Sequence, residues 1–323
     1  MRLLWQLTVV ILGLSAENVL AQSVNSYPSK PVKVVIGFPA GSSTDLLGRV
    51  LARKLSETTA QQFVVDNKPG AGSNIAADFV AKAAGDGYTL LLGGVTNAVN
   101  VTLTPEVPFN PLKDILPVAL VATIPNILVV NPGLPVGSVK EFIALAKRRP
   151  EEITYGSAGT GTSPHLSGEL FNLVAGTRLV HVPYKGSNQA VTDLLGGRIG
   201  AMFSPASSVL SYIQSGKLRA LASTTSQRPA IARDIPTISE AGLTGYETEI
   251  WFGLMAPGTT AIDLAEKIAF IVSTALQAAD VRSQFSSMGI EVLTGGPTEY
   301  AKFQNAEIEK WRRVILNAGI KTN

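Results

Sequence analysis

Phe38-Pro-Ala-Gly-Ser-Ser-Thr-Asp45 and Tyr155-Gly-Ser-Ala-Gly-Thr-Gly-Thr-Ser-Pro-His165 are the stretches that decide the fold. Each follows a short apolar run, residues 32–37 and 153–155, and each opens a helical pattern. Strand, Gly/Ser/Thr loop and helix in that order are the unit of a parallel α/β sheet. Such a loop also gathers backbone N–H groups and hydroxyls at the positive end of a helix, where an anion is stabilised. Capping a helix takes one Ser or Thr, and both stretches carry more, which favours binding over capping alone. Two such loops, over a hundred residues apart, suggest two half-sites that close on one small anionic molecule.

Outward from the first loop, apolar residues recur at helical spacing over 46–55, and residues 63–65 read as a strand. Ser73 is expected to cap an Ala-rich helix through Ala84, with a third strand at 89–92. After a Pro-rich segment come two extended runs, 118–123 and 126–130, and a capping box of Ser138 and Glu141. Strands and helices alternate again from 153 to about 223. A strand at 250–255, a helix started by Thr260 and Asp263 and running to about 279, a strand at 290–293 and a last helix capped by Thr298 complete the chain. The terminal helices have no third sheet, so the chain is expected to return to the first block. Two lobes follow, residues 22–125 with 253–323 and residues 126–252, joined by two hinge crossings. Ligands in open α/β sheets lie beyond the carboxyl ends of the strands, which puts the two loops across one cleft.

The 323 residues are 46% hydrophobic, enough for a large core, and carry a formal net charge of only +3. The basic runs Arg53-Lys54, Lys147-Arg148-Arg149 and Arg312-Arg313 fall late in helical patterns, so no nucleic-acid partner is expected. Residues 1–21 read as a signal peptide: Arg2, an apolar stretch, then Val19-Leu-Ala21 before the cut. A periplasmic location follows, and the absence of cysteine rules out disulfides, thiolate sites and a lipoprotein anchor.

Catalytic motifs are missing: no G-x-S-x-G, H-E-x-x-H or Walker loop occurs. No catalytic residue, metal or cofactor is expected. Asp45 could act as a base or meet a ligand cation, but its place in a first helical turn favours a stabilising role. His165 opens a helix and is expected to be neutral, and His181 reads as a satisfied strand histidine. Tyr184 is either a cleft residue or a sheet-edge aromatic.

At these residues the sequence resembles the Bug (TctC-like) family, periplasmic solute receptors of tripartite tricarboxylate transporters. Tyr27-Pro-Ser-Lys-Pro-Val-Lys33, the Phe38–Asp45 loop, Asp66-Asn-Lys-Pro-Gly-Ala-Gly72 and Asp86-Gly-Tyr-Thr-Leu90 carry it in the first block. The second loop, Val182-Pro-Tyr-Lys-Gly186, Gly216-Lys-Leu-Arg-Ala-Leu-Ala222, Ile235-Pro-Thr-Ile-Ser-Glu-Ala-Gly242 and Trp251-Phe-Gly-Leu-Met-Ala-Pro257 carry it onward. The resemblance implies a two-lobed periplasmic-binding-protein fold of the type II, Venus-flytrap kind. It implies a monomer that closes on a small carboxylate or dicarboxylate and serves a permease or a membrane sensor. The implied contacts are Phe38, Ala40, Gly41, Ser42, Ser43, Thr44 and Asp45, with Thr96 and Asn97 on the cleft wall. On the other lobe they are Ser157, Ala158, Gly159, Thr160, Gly161, Thr162, His165, Tyr184 and Ser204. Two departures stand out. Ser42 replaces a frequent Gly, and Ser204 replaces a frequent Asp, so a ligand amine loses one partner and a plain carboxylate is expected. The alternatives are a secreted hydrolase or isomerase using Asp45 or His165, and a ligand-sensing adaptor.

Overall fold

The computed structural model describes residues 26–321; the expected signal peptide lies outside them. The strands are β1 (Val32–Ile36), β2 (Phe63–Asn67), β3 (Thr89–Gly94), β4 (Ile115–Val130), β5 (Thr154–Ser157), β6 (Val180–Pro183), β7 (Ala201–Pro205), β8 (Arg219–Ser223), β9 (Glu249–Pro257) and β10 (Glu291–Gly295). The helices are α1 (Ser43–Thr59), α2 (Asn74–Ala81), α3 (Val95–Leu103), α4 (Val139–Arg148), α5 (Ser163–Ala175), α6 (Ser187–Leu195), α7 (Ala206–Gln214), α8 (Ile262–Gln277), α9 (Ala279–Ser287) and α10 (Pro297–Ala318).

One strand runs through both halves of the molecule. From Ile115 to Pro125, β4 pairs antiparallel with β9, and β10 pairs with it on the other side. From Asn126 to Val130 the same strand pairs with β7 and β8. The two runs expected from sequence are therefore one strand that changes partners at Pro125. Proline donates no ladder hydrogen bond, which suits a residue at the point where one set of partners ends. The first sheet is completed by parallel β2, β1 and β3, and β9 joins β3 to β4. The second is completed by parallel β6, β5 and β7. Glu249 to Phe252 pair within the first sheet, opposite Pro125 to Ala122.

Apolar cores cover both faces of each sheet. α3 was not legible from sequence. Its β-branched residues Val95, Thr96, Val99, Val101 and Thr102 favour strand, yet Val95, Ala98, Val99 and Leu103 pack with Trp251, Tyr300 and Trp311, and this burial overrides propensity. The helix expected to run to about 279 breaks at Ala278, whose backbone is extended (φ −62°, ψ 134°), and α9 begins there.

Three expected caps are corrected. Ser73 lies at φ 73° and forms no cap bond, because its side chain fills the space beside Gly37, where a Cβ would fall 2.0 Å from Ser73 Oγ. Ala261, not Thr260, precedes α8, and the Thr260 hydroxyl is buried without a partner. Gly296, not Thr298, caps α10: Pro297 occupies the first turn and the Glu299 carboxylate accepts the Gly296 N–H at 3.1 Å. The Ser138 cap forms, its hydroxyl accepting the Glu141 N–H at 3.2 Å, while the Glu141 carboxylate reaches Gly137 N rather than Ser138 N.

β9 is tied to α10 by one buried carboxylate. Glu307 Oε2 accepts the indole N–H of Trp251 at 2.8 Å and that of Trp311 at 2.9 Å. Removing it strands two buried donors. Glu307→Ala is expected to lower unfolding free energy by about 2–4 kcal/mol, and Glu307→Gln, which keeps an acceptor, by less than half of that. Urea titration followed by tryptophan fluorescence checks both.

Candidate functional site

The two Gly/Ser/Thr loops connect β1 to α1 and β5 to α5, at the carboxyl ends of parallel strands. In the first, Gly41 turns the chain at φ 79°, a conformation that glycine adopts freely. Ser42 caps α1, its hydroxyl accepting the Asp45 N–H at 3.2 Å. The first-turn N–H groups of Ser43 and Thr44 have no acceptor within the helix.

Asp45 holds this loop in shape. Its side chain is 2% exposed, and it accepts hydrogen bonds from Gly41 N–H, Arg49 Nε and Asn67 Nδ2, each at 2.9 Å. Burial raises its pKa, but the bonds from Arg49, Gly41 and Asn67 outweigh that, so the carboxyl stays below its usual range. Asn67 also donates to Phe38 O at 3.0 Å and accepts from Arg49 at 3.2 Å. Arg49 and Asn67 were missed in the sequence reading of the site. The signal was present, since Arg49 lies one turn beyond Asp45 and Asn67 belongs to the Asp66–Gly72 stretch.

The second loop is held by histidines. His165 Nδ1 accepts the Gly161 N–H at 3.1 Å, so the ring is neutral. It stacks on His181 with centroids 3.9 Å apart, and His181 Nε2 lies 2.6 Å from Ser157 Oγ. Burial, then the neighbouring His181, brings the His165 pKa down to about 3, and burial brings His181 down to about 4. Beneath them Tyr155 donates to Glu169 at 2.6 Å, and burial raises the Glu169 pKa. Ser157 also accepts the Gly159 N–H at 3.0 Å, and the Thr162 hydroxyl donates to Gly159 O at 2.7 Å. The exposed Thr160 hydroxyl has no partner among the described residues, and Ala158 and Gly159 are half-buried.

Each loop meets a helix of the other sheet. Ser43 Oγ lies 3.4 Å from Ser207 Oγ in the first turn of α7. Gly161 faces α3 so closely that a Cβ would come 2.7 Å from Leu103 Cδ2. Thr96 is buried in the first turn of α3, and Asn97 Oδ1 accepts the Gly94 N–H at 3.0 Å. Ser204 is wholly buried beside Pro205, and Ala40 is exposed. The Tyr184 hydroxyl donates to Asp193 at 2.8 Å, and burial, with that bond, pushes its pKa up to about 12. Ser207 was not singled out from sequence, because only the fold brings it to Ser43. Neither loop contains a Lys or Arg, so an anion here would meet N–H groups, hydroxyls and helix dipoles. Among the described residues no group of three or more His, Asp or Glu side chains could hold a metal ion, and no helix is long and apolar enough to cross a membrane.

Residues 47–320 match the family described as tripartite tricarboxylate transporter family receptor. The chain belongs to this receptor family. The protein BugT of Bordetella pertussis is 38% identical over 93% of this receptor and 92% of its own length. A Rhodopseudomonas palustris protein, Rpa4515, solved with adipate, superposes with a TM-score of 0.85 at 36% identity, over 91% of this receptor and 99% of that chain. MatC from the same organism, solved with bound malate, gives 0.81 at 31% identity, over 90% and 100%. The receptor thus has the two-lobed periplasmic-binding-protein fold that the resemblance implied.

Two measurements probe the loop supports. The histidine pKa values lie below the unfolded value of about 6.5. Between that pH and about 4 the unfolded chain binds protons that the folded chain does not, so stability is complete above pH 6.5 and falls as pH drops. Wild type is expected to lose stability more steeply over this window than His181→Phe in urea titrations. Asn67→Ala should weaken solute binding about tenfold, equivalent to ~1.4 kcal/mol, while leaving the thermal midpoint within a few degrees. Calorimetry and a thermal melt separate the two effects.

Proposed function

We propose that this receptor binds a small carboxylate or dicarboxylate between two lobes and delivers it to the membrane subunits of a tripartite transporter. The observation that carries this reading is the pair of loops without cations, each buttressed from behind and each opening a helix. Residues 26–125 with 253–321 form one jaw and residues 126–252 the other, with β4 and β9 as the hinge. The N–H groups of Ser43 and Thr44 on one loop and of Ala158 and Thr160 on the other are the donors. Ser42, Ser43, Thr160 and Ser207 supply nearby hydroxyls. Asp45, Ser157, His165 and Tyr184 act from behind, because their polar atoms are engaged within the protein.

The reading is non-enzymatic. Asp45 is held ionised by an arginine and His165 Nδ1 is engaged by a backbone N–H, so neither is paired with a nucleophile. A signal peptide and a periplasmic location complete it. The adipate and malate seen in the two relatives point to a dicarboxylate here. Ser204 is wholly buried and supplies no charge for a ligand amine.

A thermal-shift screen with adipate, malate, simple monocarboxylates and amino acids tests the assignment. A dicarboxylate at 100 times its Kd is expected to add about 2.7 kcal/mol of stability. Calorimetry showing tight binding of an amino acid and none of any simple carboxylate would reject it. Turnover of any of these compounds, lost in Asp45→Asn, would favour an enzyme instead.

A further inference from the structure

A groove of about 440 Å³ lies away from both loops, between α8, the turn after β10 and the first turn of α10. Leu120 of β4 and Ala269 form part of its apolar lining. Phe270 stands on its rim and is 73% exposed, the most exposed of the large apolar side chains described. Glu266 precedes Phe270 by one helical turn, on the same face of α8, and Glu299 lies on the facing α10 wall.

The charges here are one-sided. Glu266 has no ion-pair or hydrogen-bond partner among the described residues, and Glu299 accepts only the Gly296 N–H. No basic side chain lines the groove, although the chain as a whole carries +3. A pair of carboxylates repels an anionic solute, so the groove is not a second site for the cargo. β10 is an edge strand whose register is interrupted between Val292 and Gly295, so it offers no regular ladder for a further strand. Recognition here must therefore run through side chains.

We propose that this groove docks a segment of the transporter's membrane subunits that carries one large apolar residue next to a Lys or Arg. The apolar residue packs on Phe270 and Leu120, and the cation sits between Glu266 and Glu299. The proposal rests on the reading of the chain as a transporter receptor. All lining residues fall within 119–120 and 266–299, in the first proposed lobe, so the surface is the same whether or not the jaws have closed. Docking through it therefore does not require bound solute.

The test is binding of purified receptor to the membrane subunits of a tripartite tricarboxylate transporter from the same genome, held in lipid nanodiscs, by biolayer interferometry. Wild type is expected to bind with similar affinity with and without added dicarboxylate. Phe270→Ser and Glu266→Lys should each weaken binding at least fivefold, and the double variant at least twentyfold. Raising NaCl to 0.5 M should weaken wild type severalfold and Glu266→Gln less. Leu316→Ser, at another exposed apolar position near the far end of α10, should have no effect. Wild-type binding undiminished in the Phe270 and Glu266 variants, or lost equally in Leu316→Ser, overturns the groove and leaves the receptor reading intact. No binding by wild type overturns the transporter reading and the groove with it. All four substitutions are at solvent-facing positions, and unchanged thermal midpoints verify that the fold persists.

Discussion

The buried carboxylate of Asp45 ties Gly41, Arg49 and Asn67 together, and the first loop keeps its shape through that knot. A site without a cation must stabilise an anion by donors that already point the right way, since each flexible N–H has to be ordered on binding. Asp45 removes that cost for the β1–α1 loop, and Asn67 fixes the other end by holding Phe38 O. The charge of Arg49 is consumed in keeping Asp45 ionised while buried, so it lends little field to the cleft. The loop is rigid because an ion pair supports it from behind.

The second loop solves the same problem with neutral chemistry. His165 Nδ1 takes the Gly161 N–H, which fixes a glycine at φ 78° against α3. That bond exists only while Nδ1 carries a lone pair, and burial beside His181 keeps the proton away. The stacked neutral imidazoles add no charge under the loop and leave the dipole of α5 as the main local field. The two loops thus both present helix starts without a free cation, although their supports differ.

Most of the framework was legible because its signals are local. Both strand–loop–helix units and the alternation of the second block follow from apolar periodicity and Gly-rich turns. Two of the failures share one cause, tertiary contact overriding local preference. α3 is helical against its β-branched composition because Trp251 and Tyr300 bury it. Ser73 abandons a capping role because Gly37 leaves a hole beside it. At the site, the loops themselves could be read, and Arg49 one turn beyond Asp45 left a local signal, but the pairings between elements could not be read. Asp45 to Asn67 and His165 to His181 are pairings across elements, and Ser43 to Ser207 is a pairing across the two sheets.

Motion of one sheet against the other is constrained by how they are joined. β4 is continuous through Pro125, and β9 follows it to Glu249, so relative movement is a twist of two adjacent strands rather than a swing on loose linkers. On one side, Leu166 of α5 is buried among Val99, Leu103 and Trp251, and opening there exposes apolar surface at about 25 cal/mol per Å². On the other, the contact of Ser43 with Ser207 joins two solvent-accessible hydroxyls, which water can replace at little cost. The Glu291 carboxylate also accepts the Ala230 N–H at 3.0 Å, a second polar link between the sheets. Opening is therefore easiest at the polar links and hardest at Leu166. On the proposed two-jaw reading the α1 and α7 helix starts part first while the Gly161 loop stays seated on α3, so the second loop is already in place when solute enters and the first is drawn in.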